Sequence, residues 1–177
     1  MGELTLYKPH PKQLDIHTAL ESEGFKYCVV SIGRQFGKTI LAENQALKWA
    51  VENDSVKVGW ISPTYKQCKK VFKELVLALD NWHGIESVNH SDLIIKVNNG
   101  SQIIFYSAEA YDTIRGETFD YLIGDEVAFW KPEAWNEVIK ATVLVRGKKV
   151  LLLSTPKGKN LFHTLFNLSQ SNDVYRS

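Results

Sequence analysis

The chain has 177 residues, 44% of them apolar, which is enough for one buried core. Its 21 basic and 20 acidic residues give a net charge of +1, which excludes a globally basic nucleic-acid binder but leaves room for a local basic stripe. Two cysteines, Cys28 and Cys68, are too few for a disulfide framework. No apolar run approaches the roughly 20 residues of a membrane span, so we expect a cytosolic protein without a signal peptide.

Short apolar runs rich in β-branched and aromatic residues alternate with segments of helical spacing. The predicted strands lie at 26–32, 56–62, 92–97, 101–108, 120–126 and 149–155, and crossover helices are predicted at 37–53 and 65–82. The NNG turn at 98–100 predicts a hairpin because Asn and Gly tolerate positive φ, and 173–177 resembles the start of another strand. This order predicts an α/β fold with a mostly parallel sheet and one added antiparallel pair. The tryptophans interpreted as core or core-edge residues are Trp60, Trp82, Trp130 and Trp135.

The stretch VVSIGRQFGKTILA at 29–42 has the form of a phosphate-binding loop between a strand and a helix. Gly37, Lys38 and Thr39 match the end that carries the chemistry: backbone N–H groups surround the phosphates, the lysine reaches the β- and γ-phosphates, and the hydroxyl binds Mg²⁺. The usual pattern, however, requires its first glycine at Ile32, one place before Gly33. The flanking strand and amphipathic helix favour phosphate binding over a chance Gly-Lys-Thr turn.

Two further strand ends carry polar residues that suit nucleotide hydrolysis. The acidic strand end FDYLIGDE at 119–126 offers Asp125 for the metal and Glu126 as a general base. In VLLLSTPKGKN at 150–160, Ser154 and Thr155 follow another apolar strand, where they can contact the γ-phosphate or the attacking water. Each feature alone is an ordinary strand end, and the combination with the loop favours an ATPase.

Together these three stretches resemble the ATPase domain of the large terminase subunit of tailed bacteriophages and related viruses, the motor that packages DNA into a procapsid. RQFGKT at 34–39 has the family's Arg-Gln-x-Gly-Lys-Thr/Ser form, which accounts for the displaced glycine. LIGDE and STP match the family's acidic strand end and coupling motif. The resemblance implies a three-layer, RecA-like (ASCE) phosphate-loop NTPase fold with a single ATPase domain over 1–177, and ATP and Mg²⁺ as cofactors.

The resemblance also implies roles for individual residues. Arg34 would add a guanidinium near the phosphates, and Gln13 would recognise adenine through its amide. Arg115, in an Arg-Gly pair before the acidic strand, is a candidate arginine finger acting on its own nucleotide or a neighbour's, and Arg146 is a poorer candidate. The expected catalytic residues are Glu126, Arg34, Arg115 and Lys38; the nucleotide-binding residues are Gln13, Gly33, Arg34, Gln35, Gly37, Lys38, Thr39, Ile40, Ser154 and Thr155; the metal ligands are Thr39 and Asp125.

The implied partners are double-stranded DNA, a portal protein and a small terminase subunit. We expect a homo-oligomeric ring on the procapsid, a monomer in isolation, no membrane association, and the cytoplasm of an infected bacterial host as the location. The family's RNase H-like nuclease needs several convergent carboxylates, so no nuclease activity is expected in this chain.

Other functional classes remain open. A helicase-like DNA translocase shares the loop and the acids but normally carries a second core domain, for which the chain has no residues after Ser177. A non-catalytic nucleotide-binding module that assembles the packaging machine is a further alternative. A GTPase switch would need an Asn-Lys-x-Asp-like guanine-reading motif, which the sequence does not contain.

Overall fold

The computed structural model describes residues 7–33 and 35–171, together with the backbone of 175–176. Within these ranges the α-helices are α1 (Pro11–Glu21), α2 (Lys38–Glu52), α3 (Tyr65–Ala78) and α4 (Leu161–Ser169). The strands are β1 (Tyr27–Ser31), β2 (Lys57–Ser62), β3 (Ile85–Asn89), β4 (Ile94–Val97), β5 (Gln102–Ser107), β6 (Tyr121–Gly124), β7 (Lys149–Ser154) and β8 (Tyr175–Arg176). Short 3₁₀ and π-helical turns lie at Ala108–Ile114, Val127–Phe129, Ala134–Ile139 and Lys140–Val143.

The described strands form one sheet in the order β3-β4-β5-β2-β6-β7-β1-β8. Along the part β5-β2-β6-β7-β1-β8 of this order, all neighbouring strands are parallel. The pairs β3–β4 and β4–β5 are antiparallel. The predicted mostly parallel sheet and the hairpin at the NNG turn are confirmed, and Tyr175–Arg176, within the stretch expected to start another strand, forms β8. The structure has two antiparallel pairs where the sequence predicted one, because β3 adds a second hairpin.

Two apolar layers cover the sheet, one on each face. Alternate residues of the central strands point to opposite layers: Leu151 and Leu153 of β7 join the cluster under α2 and α3, while Val150 and Leu152 join the cluster under α4 and the short turns. These strands are buried on both faces, which explains their nearly continuous apolar sequence. The predicted three-layer architecture is therefore confirmed.

Helix α1 was not predicted, because its apolar residues with helical spacing, Ile16, Ala19 and Leu20, cover little more than one turn. Two of its three buried residues are polar, Gln13 and His17, so a search for an apolar stripe misses it. Helix α4 was also missed, although Asn160 marks its start as a side-chain cap on the His163 N–H at 3.1 Å.

The tryptophans occupy the core positions expected of them. Trp60, Trp130 and Trp135 are buried, and Trp82 packs against the core as a partly buried side chain. The indole N–H of Trp130 donates to the Asp125 carbonyl at 3.1 Å, so this ring also fixes the acidic turn. None of the helices in the described ranges combines the length and the apolar character that crossing a membrane requires.

Candidate functional site

Three neighbouring parallel strands end at one edge of the sheet, and each is followed by residues that the sequence singled out. Strand β7 lies between β1 and β6, with Ser154 opposite Ser31 and Leu152 opposite Gly124. The phosphate loop follows β1, the two acids follow β6, and Thr155 follows β7. Ligands of open α/β sheets bind outside the carboxyl ends of the strands, so this edge is the candidate site.

The phosphate loop turns through left-handed backbone conformations before helix α2 begins. Gln35 has φ +67° and Gly37, the residue that precedes the helix, has φ +81°. The first N–H groups of a helix have no acceptor within it, so those of Lys38, Thr39 and Ile40 are suited to anionic oxygens. Arg34 lies outside the described residues, and its assignment stays a prediction.

Helix α1 supports this loop through Gln13, which is buried. The Gln13 Nε2 atom donates to the Phe36 carbonyl at 3.0 Å, and Oε1 accepts from the His10 N–H at 3.0 Å. The His10 ring also packs edge-on against the Phe36 ring, with centroids 4.6 Å apart. Each amide atom can still make one more hydrogen bond, so the predicted contact with adenine stays a prediction.

Lys38 joins the ends of all three strands. Its ammonium donates to Thr155 Oγ1 at 2.8 Å and lies 3.3 Å from Glu126 Oε1, and its side chain is only 11% exposed. Because each of these partners follows a different strand, the contacts exist only when β1, β6 and β7 are aligned. The structure thus brings together the predicted loop lysine, the predicted base and one predicted γ-phosphate sensor.

Glu126 is held in a left-handed conformation, with φ +48°. Its Oε2 atom accepts from Ser154 Oγ at 3.2 Å, and that hydroxyl in turn accepts from the Ala128 N–H at 3.2 Å. These contacts fix the carboxylate beside the Lys38 ammonium.

Asp125 is buried, and its backbone N–H donates to the Ile61 carbonyl of β2 at 2.9 Å. Burial, with the neighbouring Glu126 charge as the next cause, raises the pKa of the Asp125 carboxyl to about 7. A cation beside this carboxyl would stabilise its ionised form. The Asp125 carboxyl and the Thr39 hydroxyl are hard oxygen donors, which suit Mg²⁺, and this ion commonly takes its remaining ligands from phosphates and water.

The two other candidate arginines, Arg115 and Arg146, form their ion pairs with residues outside the cluster around Lys38. Arg115 is half exposed, donates to Asp112 Oδ1 at 2.8 Å and lies 3.9 Å from Glu137. Arg146 pairs with the buried carboxylate of Asp120 at 3.0 Å, which gives this arginine a structural role. Arg115 is thus available to a neighbouring molecule, whereas Arg146 neutralises a buried charge.

Sequence reasoning missed Glu43, which lies one helical turn after Thr39 on α2. The Oε1 atom of Glu43 is inaccessible to solvent and has no hydrogen-bond partner among the described residues. Burial, followed by repulsion from Glu74 and Asp125, raises the pKa of the Glu43 carboxyl to about 7. The i, i+4 spacing from Thr39 was the available signal, because it places both side chains on one helix face.

The similarity to known proteins covers nearly the whole chain. Residues 29–173 match the family described as terminase large subunit, T4likevirus-type, N-terminal. The large terminase subunit of Thermus phage G20c is 31% identical over 184 residues, a region that covers 93% of this chain and 37% of that protein. The chain therefore spans little more than a third of the length of this relative.

Solved structures show the same fold. The ATPase domain of the large terminase of Thermus phage P74-26 matches with a TM-score of 0.77 at 28% identity, over 92% of this chain and 71% of that one. The large terminase of another thermophilic bacteriophage, in complex with ADP, matches with a TM-score of 0.74 at 21% identity, over 94% of this chain and 44% of that one. The predicted RecA-like fold and the resemblance are confirmed, and the chain belongs to the terminase large subunit family, corresponding to its T4-like-virus-type N-terminal part.

Proposed function

We propose that this chain binds Mg·ATP at the carboxyl edge of β1, β6 and β7 and hydrolyses it, and that hydrolysis in the whole protein drives double-stranded DNA into a procapsid. The observation that carries the proposal is the contact of Lys38 with both Thr155 and Glu126. A lysine, a carboxylate and a hydroxyl from three different strand ends meet at the start of a helix. Such an arrangement suits the binding and transfer of a phosphoryl group.

In the proposed complex the loop holds the phosphates. The N–H groups of 33–40, including those of Gly33, Gln35 and Gly37, surround the phosphate oxygens, and the start of α2 adds its partial positive charge. Lys38 neutralises the β- and γ-phosphates, and Arg34 adds a guanidinium. Gln13 remains the candidate for the adenine contact, reached from the loop that it already supports.

Binding of the phosphates would also release the proposed catalytic base, Glu126, from its ion pair with Lys38. Lys38 now faces Glu126, and the γ-phosphate is the stronger competitor for the lysine because it carries more charge. Transfer of Lys38 to phosphate leaves Glu126 free to orient the attacking water and accept its proton, while Ser154 keeps the carboxylate in place. Mg²⁺, held by Thr39 and Asp125, would neutralise charge on the phosphate oxygens.

The proposal for the whole protein rests on the family. Relatives are large terminases, and one of the solved relatives is described as being in complex with ATP-gamma-S. We extend to this chain the expected partners of a terminase motor: double-stranded DNA, a portal protein, a small terminase subunit and further copies in a ring. The proposed location is the cytoplasm of the infected bacterial host.

Steady-state turnover and binding of ATP by the 177-residue chain test the proposal. The wild type should bind ATP and hydrolyse it in a Mg²⁺-dependent way, and Lys38→Ala should lose affinity or turnover by about 10²-fold or more because a charge-assisted phosphate contact is removed. Lys96→Ala, at an exposed position on β4, is the matched control and should behave like the wild type.

Two results would contradict the proposal. Unchanged ATP affinity and turnover in Lys38→Ala would remove the assigned site. Tight ATP binding by the wild type without turnover under any condition, including added duplex DNA and high protein concentration, would instead favour a non-catalytic assembly module.

A further inference from the structure

Helix α3 carries a row of lysines on the side opposite its buried face. Lys66, Lys69, Lys70 and Lys73 are all exposed, whereas Cys68, Val71, Phe72 and Leu75 are buried. At 3.6 residues per turn, the spacing i, i+3, i+4 and i+7 places the four lysines within a sector of about 100°. We call these four residues the α3 lysine row.

The α3 lysine row is unfavourable for the helix itself. Lys66 lies in the first turn of α3, where a positive charge opposes the helix dipole, and the last turn, where a cation would be favourable, has no basic residue. Lysines three and four residues apart also repel one another. The row has one acidic partner on α3, Glu74, whose carboxylate lies 3.8 Å from Lys70 at an exposed position where such a pair contributes little.

The α3 lysine row is a local concentration of positive charge in a nearly neutral chain. The chain as a whole has a net charge of +1, whereas α3 contains four lysines and one glutamate. Tyr65, at the first position of the helix, is 49% exposed, and the Lys69 ammonium lies 5.8 Å from its ring centroid. A helix face on which four like charges lie close together does not stabilise the helix, and an anionic partner explains it more readily.

We propose that the α3 lysine row contacts the phosphate backbone of double-stranded DNA. This inference rests on the proposed function, which requires the chain to act on a DNA duplex. From Lys66 to Lys73 the helix rises about 10 Å, and phosphates of one strand follow each other at about 3.4 Å along the duplex axis, so the row spans about three phosphates. Lysines are compact point charges, which fits contact with any sequence.

The row is connected to the ATP site through the sheet. Helix α3 follows β2 after only Pro63 and Thr64, and the Ile61 carbonyl near the end of β2 accepts the Asp125 N–H at 2.9 Å. The start of α3 is further fixed by Glu109, whose carboxylate accepts the Tyr65 N–H at 2.7 Å. One strand, β2, therefore connects the acidic turn to helix α3.

Salt-dependent binding of a short labelled DNA duplex by the whole chain tests the inference. The triple substitution Lys66→Ala, Lys69→Ala and Lys73→Ala should weaken binding at low salt about tenfold or more. It should also reduce the slope of log affinity against log salt by about 2 to 3, because each lost phosphate contact lowers this slope by about 0.9. The matched control Lys12→Ala, Lys96→Ala and Lys131→Ala removes the same charge from exposed positions elsewhere and should retain most of the affinity and the slope.

A second variant separates charge from folding. Lysine-to-arginine replacement at the same three positions should restore both affinity and slope, since arginine keeps the charge. Equal losses in the α3 variant and the control, or a wild type that binds no duplex even at low salt, would overturn the inference. ATP binding is measured on the same samples. If the α3 triple variant binds ATP and keeps its DNA affinity, only the DNA contact is contradicted. If the wild type does not bind ATP, the proposed function is contradicted.

Discussion

Glu126 combines a strained backbone with a set of contacts that hold it in one place. A left-handed conformation costs a non-glycine residue on the order of 1 kcal/mol or more, and such strain persists only where surrounding contacts determine it. Here the contacts are the Lys38 ammonium, the Ser154 hydroxyl and the short turn Val127–Phe129. This environment suits a base that must act at a defined point in space.

The two adjacent acids should differ in the effects of their substitution, because the Glu126 carboxylate contacts Lys38 and Ser154 whereas the Asp125 side chain is buried. Glu126→Gln should keep ATP affinity and lose hydrolysis by about 10²-fold or more, the range for a general base. Asp125→Asn should instead raise the Mg²⁺ concentration needed for tight nucleotide binding. Calorimetric titration of ATP across a Mg²⁺ series, with turnover measured alongside, resolves the two effects. Wild-type turnover in Glu126→Gln would assign the base to another residue.

Glu43 should make the stability of the ligand-free chain depend on pH. Its carboxyl has a pKa of about 7 in the folded state against an ordinary value of 4.5, chiefly because it is buried. Between these values the folded chain binds a proton that the unfolded chain has lost, so the free energy of unfolding should fall as pH rises from about 4.5 through about 7. Asp125 acts in the same direction.

Glu43→Gln should therefore flatten this fall without abolishing it, since Asp125 remains. Urea denaturation at a series of pH values measures the effect. Glu52→Gln, which changes an exposed glutamate near the end of the same helix, is the matched control and should follow the wild-type profile. Superimposable profiles for Glu43→Gln and the wild type would show that the Glu43 carboxyl is solvated in solution.

At the scale of elements, the phosphate loop depends on helix α1 as much as on its own sequence. Gln13 connects α1 to the Phe36 carbonyl, and a Cβ atom on Gly37 would lie 3.0 Å from Gln13 Nε2 and 3.2 Å from Ile40 Cγ2. The loop is therefore confined between α1 and the first turn of α2. The two loop glycines differ in their surroundings, since a Cβ atom on Gly33 would have no atom of the described residues within 4 Å.

Alanine substitution should distinguish the two loop glycines. Gly37→Ala should reduce the free energy of unfolding by about 1 to 2 kcal/mol, because alanine is unfavourable at φ +81° and the added methyl group crowds Gln13. Gly33→Ala, the control on the same loop, should leave stability nearly unchanged. Thermal and urea denaturation measure both. Equal stability of the two variants would mean that the loop relaxes into another conformation.

At the scale of the whole molecule, Arg115 is exposed at the surface, where a second copy of the chain would be able to reach it. Its own contacts are with Asp112 and Glu137, which are themselves exposed. An arginine finger supplied by a neighbour stabilises transition-state charge only after assembly. The isolated chain should then bind ATP but hydrolyse it slowly, and turnover should rise faster than linearly with protein concentration or on assembly with procapsid and DNA.

Mixing two inactive variants tests whether the finger acts between subunits. In a mixture of Arg115→Ala and Glu126→Gln chains, the second can lend its arginine to the intact base of the first, so activity should return. A mixture of Lys38→Ala and Glu126→Gln chains contains no intact site and should stay inactive, which makes it the matched control. A dead first mixture despite assembly, or full activity of dilute monomer, would rule out Arg115 as a finger in trans and favour Arg34.

Local stretches of the sequence were sufficient to predict most strands and the two longest helices of the fold. The six predicted strands are all present, helix α2 matches its predicted range within one residue at each end, and the NNG turn forms its hairpin. These features depend on apolar periodicity and turn chemistry, which neighbouring residues encode. Helix α1 was not predicted because its apolar stripe is short and two of its three buried residues are polar, so that its burial depends on distant partners.

By itself the sequence determined the residue types of the site and the strand ends that carry them: the loop of Gly37 and Lys38, the acidic pair of Asp125 and Glu126, and the family. Only the tertiary structure decided that β7 lies between β1 and β6, so that Thr155 bonds to Lys38 across 117 positions of sequence. It also decided that Gln13 supports the loop and that the Glu43 carboxyl is partly buried near Asp125. The physical reason is that strand order and burial follow from packing of the whole core, which no local pattern contains.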